Sequence, residues 1–140
     1  MQSWEKFFEL ASVKNSQILR IIWKHIIIFA TKKQLVMEIT FEKEYLRELF
    51  YEGKTSDKHL RYQPQIISKY IRVVNILDAV ERVTDLYRFN ALKYEKLHGD
   101  KEGLESVRVN DQYRLEFRSS EETDKNITIC NIVELSNHYK

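Results

Sequence analysis

The chain contains little cysteine, proline or glycine. Its single cysteine, Cys130, excludes an intramolecular disulfide, and its position inside the apolar run at residues 127–135 predicts a buried thiol. Three glycines and one proline among 140 residues argue against a long disordered linker. The hydrophobic share of 43% and the charged share of 31% therefore predict one folded, soluble domain with a substantial core.

The sequence also lacks the clustered ligands of a metal centre. Its four histidines are scattered along the chain, at His25, His59, His98 and His138. None of them has a cysteine or histidine partner at zinc-ligand spacing, so we predict neither a metal site nor a cofactor.

No hydrophobic run is long enough to cross a bilayer. The most apolar stretch, residues 18–30, has 13 residues and includes Arg20, Lys24 and His25. It also lacks the short cationic start and the small-residue cleavage site of a signal peptide, so we expect a cytoplasmic protein without a membrane contact.

An excess of one charge is absent from most of the chain. Residues 1–36 hold six of the 23 Lys and Arg but only two of the 21 Asp and Glu, so residues 37–140 carry a net charge of −2. Any nucleic-acid contact of this larger part must use a local basic patch, because bulk cationic character is missing.

Apolar periodicity divides the chain into two blocks. In residues 1–36, apolar residues recur at helical spacing, at Trp4, Phe7, Phe8 and Ala11 and again at Ile18, Ile22, Ile26 and Phe29. This pattern predicts that residues 1–36 form a helical extension. The hypothesis is that the native domain, residues 37–140, does not need this extension. Met37, where the second block begins, is a candidate alternative start.

The second block predicts an α+β domain in which two helices pack on a small antiparallel sheet. A strand at residues 37–41 precedes a first helix, which Gly53 ends, and Pro64 opens the longest helix. Strands follow at residues 92–97 and in a hairpin, and a charged loop spans residues 119–126. The last strand, residues 127–135, is apolar at both parities, which predicts burial on both faces near the centre of the sheet.

The hairpin places two arginines side by side. Val107 and Val109 share a face with the apolar residues of the next strand only if Val109 pairs with Tyr113, which leaves a three-residue loop. Arg108 then lies directly opposite Arg114, and opposed like charges destabilise a sheet. Two explanations stay open: Glu116 neutralises the pair, or the pair binds an anion such as phosphate.

Several spaced motifs resemble the RelE/ParE toxin superfamily, and its HigB branch most closely. They are Asp85-Leu86, the turn LHGDKEG at residues 97–103, the hairpin SVRVNDQYRL at residues 106–115 and the ending IVELSNHY at residues 132–139. The resemblance covers residues 37–140. It implies a small toxin of a type II toxin–antitoxin pair with the RelE/ParE-like fold, whose activity in the HigB branch is ribosome-dependent cleavage of mRNA.

The same resemblance implies partners and two alternative functions. An antitoxin with a helix-turn-helix domain (HigA-like) would silence the toxin, and the toxin would reach promoter DNA only through that antitoxin. The ParE branch inhibits DNA gyrase instead. An inactive antitoxin-binding regulator is the third hypothesis, because Glu134-Leu135-Ser136 stands where many HigB proteins have Asp-Tyr-His.

Candidate site residues follow from the chemistry of RNA cleavage without a metal. Such cleavage needs cations at the phosphate and groups that accept and donate protons. The candidate catalytic residues are Arg108, Arg114, Glu134, His138 and Tyr139. The candidate RNA-binding residues are Arg88, Lys93, Lys96, His98 and Arg118, for which a purely solvated surface role is the alternative.

Overall fold

The computed structural model describes residues 16–30 and 35–137, and the chain divides into two compact units, residues 1–34 and 35–140. In the first unit, helix α1 spans Ser16–Ala30, where the spacing of Ile18, Ile22 and Ile26 predicts a helix. The helical pattern at Trp4–Ala11 lies outside the described residues. Within the described ranges, no helix is both long and apolar enough to cross a membrane.

The second unit is built on a five-stranded mixed sheet in the order β1-β5-β4-β3-β2. The strands are β1 (Val36–Phe41), β2 (Glu95–Lys96), β3 (Glu105–Arg108), β4 (Tyr113–Glu122) and β5 (Ile127–Asn137). Three neighbouring pairs are antiparallel, as predicted, but β1 runs parallel to β5. The prediction of a wholly antiparallel sheet was therefore wrong at the β1 edge. The long stretch of chain between β1 and β5 returns in such a way that the two strands run in the same direction.

Two helices complete the α+β domain. Helix α2 spans Glu44–Glu52 and ends at Gly53, whose φ of 68° lies in the left-handed region that glycine adopts without strain. Helix α3 spans Pro64–Ala79, with proline in the first turn as predicted. Both helices contact β1, and α2 also contacts β5.

The core lies between these helices and one face of the sheet. Leu46 and Leu49 of α2 and Tyr70, Val74 and Leu77 of α3 are fully buried. At alternate positions of β3, β4 and β5, the sheet contributes further fully buried side chains: Val107, Leu115, Phe117, Cys130 and Ile132. The thiol of Cys130 is therefore buried, as its apolar surroundings predict.

Two strand boundaries and the burial of one strand differ from the predictions. Residues 92–97 form a strand only at β2, because Asn90–Leu92 is a 3-10 turn and Lys93 has a positive φ of 44°. The region expected as a charged loop from residue 119 belongs to β4 as far as Glu122. Strand β5 lies in the interior of the sheet between β1 and β4, as predicted, but only alternate residues of its first half are buried, so burial on both faces was wrong.

Candidate functional site

The hairpin has the predicted register. Arg108 pairs with Arg114, and Val107 pairs with the buried Leu115. The amide of Val109 donates a hydrogen bond of 3.0 Å to the carbonyl of Tyr113, which closes the three-residue loop. Both arginines therefore lie on the face of the sheet opposite Val107 and Leu115, and we call this surface the arginine face.

A side-chain amide oxygen fixes the loop. Asn110 Oδ1 accepts hydrogen bonds from the backbone amides of Gln112 at 3.0 Å and Tyr113 at 2.7 Å. Such a turn, in which the side chain bonds backbone two or three residues ahead, explains why asparagine suits the first loop position. The loop thereby holds the two strands in the register that opposes the arginines.

Arg114 is held from three directions and is largely buried. Its guanidinium donates to Ser106 Oγ at 2.9 and 2.8 Å and to the carbonyl oxygen of Lys93 at 2.8 Å. It also forms an ion pair of 2.9 Å with Glu95, and only 15% of its side chain is exposed. These contacts to described residues use Nε and Nη2, so the guanidinium is rigidly oriented.

Arg108 is more open. It donates to the carbonyl oxygen of Asn110 and forms an ion pair with Asp111 at the loop, where Asp111 is 86% exposed. Because 39% of the Arg108 side chain is exposed, this pair is well solvated and contributes little to stability.

The acids that compensate the arginine pair are therefore Glu95 and Asp111. The expectation that Glu116 neutralises it was wrong: the buried Glu116 carboxylate accepts a bond of 2.5 Å from Lys101. The reason is tertiary, because the 3-10 turn Gly99–Lys101 brings that lysine over β4.

Strand β5 contributes a second carboxylate, that of Glu134, beside Glu116. Glu134 pairs directly with Glu116, and the pair of Arg114 and Ser136 lies two residues further along the same two strands. The Glu134 carboxylate accepts hydrogen bonds from Lys43 Nζ and from the Tyr45 hydroxyl. Burial, and then the bond to Glu134, raise the pKa of Tyr45 well above its usual range, so this hydroxyl stays protonated.

The candidate RNA-binding residues do not form one surface. Lys96 pairs with Glu105, so it faces away from the arginines, and it lines a cleft of about 320 Å³ together with His98 and Ser119. Arg88 lines a different cleft of about 550 Å³ near the end of α3. Arg118 forms an exposed ion pair of 3.4 Å with Glu42, and Lys93 contributes its carbonyl oxygen to Arg114.

Two candidate catalytic residues, His138 and Tyr139, lie outside the described residues. Within the described ranges, no group of three or more His, Cys, Asp or Glu side chains is arranged to hold a metal ion. Sequence reasoning missed several groups that contact the candidate residues, among them Glu42, Lys43, Tyr45 and Glu95, none of which belongs to a recognised motif. It also missed the pairing of Lys101 with Glu116, because the motif at residues 97–103 does not indicate an ion pair.

Comparison with known proteins decides the family. The family model described as the RelE-like toxin of type II toxin–antitoxin system HigB matches residues 39–132, which include the arginine pair. The chain belongs to this family. A curated relative, Toxin HigB-1 of Vibrio cholerae serotype O1 (strain ATCC 39315 / El Tor Inaba N16961), is 39% identical over 83 residues, which are 59% of this chain and 83% of that protein.

Two solved structures of bacterial proteins have some similarity to this HigB-like toxin. A YoeB/ParE toxin from Agrobacterium tumefaciens is 19% identical, with a TM-score of 0.43 over 74% of this chain and 100% of that one. A point mutant of YafQ from E. coli is 12% identical, with a TM-score of 0.42 over 74% of this chain and 94% of that one. Because both TM-scores lie below 0.5, the family membership rests on the sequence matches.

Proposed function

We propose that this toxin is a ribosome-dependent mRNA endonuclease of the cytoplasm that inhibits translation until an antitoxin neutralises it. Its membership of the HigB-like family supports the proposal. The observation that carries it is the opposition of Arg108 and Arg114 on one face of the sheet. Two guanidinium groups on neighbouring strands suit the oxygens of one phosphodiester, which accept paired hydrogen bonds from such groups.

The proposed reaction needs only groups that proteins supply. The ribose 2′-oxygen forms a bond to the adjacent phosphorus, and the bond from phosphorus to the 5′-oxygen breaks. A base takes the 2′-hydroxyl proton, an acid protonates the leaving 5′-oxygen, and cations stabilise the phosphoryl oxygens. The ribosome would contribute by holding the mRNA in the reactive geometry.

The two arginines would have different parts in this reaction. Arg108 would exchange Asp111 for a phosphate oxygen, because a solvated ion pair is worth only about 0–1 kcal/mol. Arg114 would keep its bonds to Ser106 and to the Lys93 carbonyl oxygen while it faces the same phosphate. Glu134, His138 and Tyr139 are the proposed proton-transfer and base-contacting groups at the end of β5.

The remaining cations would bind the RNA backbone outside the reacting phosphate. Lys93 and Arg118 are exposed, and Arg118 lies on the arginine face by its register in β4. Lys96 and His98 share one cleft on the other side of the sheet edge, and Arg88 lies at a second cleft. These residues are proposed as weaker contacts, each worth less than the arginine pair.

Expression in bacteria tests the proposal. The full chain alone should arrest growth, and mapping of transcript ends should show cuts within coding sequences, whereas Arg108→Ala should restore growth. Growth arrest with intact transcripts and impaired supercoiling by purified gyrase would instead identify the gyrase-inhibiting alternative.

A second candidate function is an inactive regulator that binds the antitoxin without cleaving RNA. The observation in its favour is that Glu95 and Asp111 already compensate the two arginines. This candidate predicts tight association with a helix-turn-helix antitoxin, which alone would bring the complex to promoter DNA, and normal growth when the chain is expressed alone. The same expression experiment therefore separates the two candidates.

A further inference from the structure

The side chain of Glu134 is held by residues at the start of helix α2. Lys43 lies immediately before α2 and Tyr45 lies in its first turn. Their side chains bind different oxygens of the Glu134 carboxylate. The Tyr45 hydroxyl also accepts a hydrogen bond of 3.4 Å from the amide of Leu135, so it contacts both the side chain and the backbone of β5.

The backbone at this point of β5 is irregular. Glu116 pairs with Glu134 but the next residue of β4, Phe117, pairs with Ile132, so Val133 is an extra residue in β5. A β-bulge changes the direction of the side chains beside it and is frequent next to active sites. Without a fixed partner, a carboxylate at such a bulge would adopt several orientations.

Aromatic packing supports the tyrosine that fixes it. The ring of Tyr45 stacks on Tyr62 with centroids 6.5 Å apart, and Tyr62 meets Tyr113 edge-on at 5.7 Å. Tyr113 begins β4 directly after the arginine hairpin. Tyr45 is therefore connected by packed rings to the strand that carries Arg114.

We propose that Lys43 and Tyr45 are positioning residues that orient the Glu134 carboxylate for proton transfer at the phosphate bound by the arginine pair. The inference rests on the proposed nuclease function. Neither residue need touch the RNA; both act through Glu134. Among residues 16–30 and 35–137, the titratable groups near Glu134 are Lys43 and Tyr45 from the start of α2, Tyr62 from the loop before α3, and Glu116 from β4, whose own charge Lys101 balances.

The two donors restrain the carboxylate of Glu134. Each of its oxygens accepts a hydrogen bond from a different side chain, and charge-assisted hydrogen bonds of this kind fix the orientation of the groups that they join. Loss of either donor should therefore loosen the orientation of the carboxylate.

The test measures cleavage of a reporter mRNA on programmed ribosomes by the full chain. Tyr45→Phe and Lys43→Met should each lower kcat by roughly 10- to 100-fold with KM within about twofold, since a misplaced catalytic group costs about that much. Lys43→Arg, which keeps a donor, should recover most of the rate. The control Arg47→Met removes an exposed ion pair of the same helix and should leave the rate unchanged.

A double-mutant cycle shows whether the effect passes through Glu134. In the Glu134→Gln background, Tyr45→Phe and Lys43→Met should lower kcat no further. Carboxyl ¹³C relaxation, with the Glu134 signal assigned from Glu134→Gln, should show a more mobile Glu134 carboxylate in both single variants. Lys43 is half-exposed, so its variant tests the proposal even if Tyr45→Phe fails to fold.

The outcomes are distinguishable. If the wild type cleaves mRNA and the Lys43→Met and Tyr45→Phe variants keep its kcat, the positioning role alone is overturned. The same conclusion follows if these substitutions lower kcat equally in the wild-type and Glu134→Gln backgrounds. A folded wild type that leaves mRNA intact on ribosomes would overturn the nuclease function and, with it, this role.

Discussion

At the residue scale, the two arginines differ more than their symmetric pairing indicates. Arg108 is partly exposed and contacts a solvated acid of its own loop, whereas Arg114 is bound to Ser106, Glu95 and a backbone carbonyl oxygen. A guanidinium group that is hydrogen-bonded to the protein keeps a fixed orientation, whereas an exposed guanidinium group is able to exchange its partner for a ligand. The pair therefore combines one fixed and one adaptable cation.

Substitution of the arginines should separate activity from stability. Arg108→Ala should change the free energy of unfolding by less than about 1 kcal/mol, because it loses a solvated ion pair and one long hydrogen bond to the Asn110 carbonyl oxygen. Arg114→Ala should cost about 1–3 kcal/mol, because it leaves the Ser106 hydroxyl and the Lys93 carbonyl oxygen without their donor. Urea unfolding of the two purified variants measures both values, and a larger loss for Arg108→Ala would contradict this ranking.

The sequence allowed the register of these residues to be predicted but not their partners. Alternation of Val107, Val109 and the apolar residues of β4 determines which side chains share a face, because parity is a local property of strands. Glu95 reaches Arg114 from a strand of only two residues, and Lys101 reaches Glu116 from a 3-10 turn. Such ion pairs depend on tertiary placement, for which the sequence has no periodic signal.

At the element scale, local signals located the helices better than the sheet edges. Gly53 and Pro64 mark a helix end and a helix start by backbone chemistry alone, and both were predicted correctly. The parallel pairing of β1 with β5 and the short β2 were missed. Leu92 is buried, as in a strand, but a 3-10 turn buries it, and hydrophobicity cannot distinguish the two.

The hairpin loop should be a sensitive part of the site. Asn110→Ala removes the acceptor of two backbone amides and should lower the free energy of unfolding by about 1–2 kcal/mol. The exposed neighbour offers a control, since Gln112→Ala should change it by less than about 0.5 kcal/mol. Urea midpoints at constant m-value measure both, and equal midpoints would show that the side-chain bonds of Asn110 are not required.

At the scale of the whole molecule, the start of the second unit at residue 35 predicts how far the chain can be truncated without loss of stability. Val36 is buried, pairs with Ile127, and donates a backbone hydrogen bond of 3.1 Å to the Asn126 carbonyl oxygen. We expect a fragment that begins at Leu35 to fold, and one that begins at Met37 to be less stable by about 2 kcal/mol, because it loses this valine. Thermal unfolding compares them; if the shorter fragment is equally stable, β1 does not need Val36.

Buried tyrosines should make the domain sensitive to alkali. Burial raises the pKa of Tyr70, which donates a hydrogen bond of 2.8 Å to the Leu46 carbonyl oxygen, and of Tyr45, well above the usual value of 10.0. Because the pKa of each tyrosine is higher in the folded state than in the unfolded state, its contribution to stability is complete below pH 10. Above pH 10 the free energy of unfolding should fall by up to about 1.4 kcal/mol per pH unit for each group.

The comparison of wild type with Tyr70→Phe isolates this contribution from the titration of lysines. Their difference in the free energy of unfolding should be constant below pH 10 and should shift against the wild type above it, because only the wild type must ionise Tyr70 when it unfolds. Guanidinium unfolding between pH 7 and 11 provides the values. A difference that stays constant through pH 11 would show that Tyr70 titrates normally.

The most direct measurement for the whole account is cleavage of a defined mRNA by the purified full chain, with and without programmed ribosomes, beside Arg108→Ala. We predict discrete cuts within the coding sequence only when ribosomes are present, and a loss of roughly 100-fold in rate for the variant, whose fold should remain intact. Uncut mRNA in the wild-type reaction, or equal cleavage by the variant, would contradict the claim that the paired arginines bind the reacting phosphate.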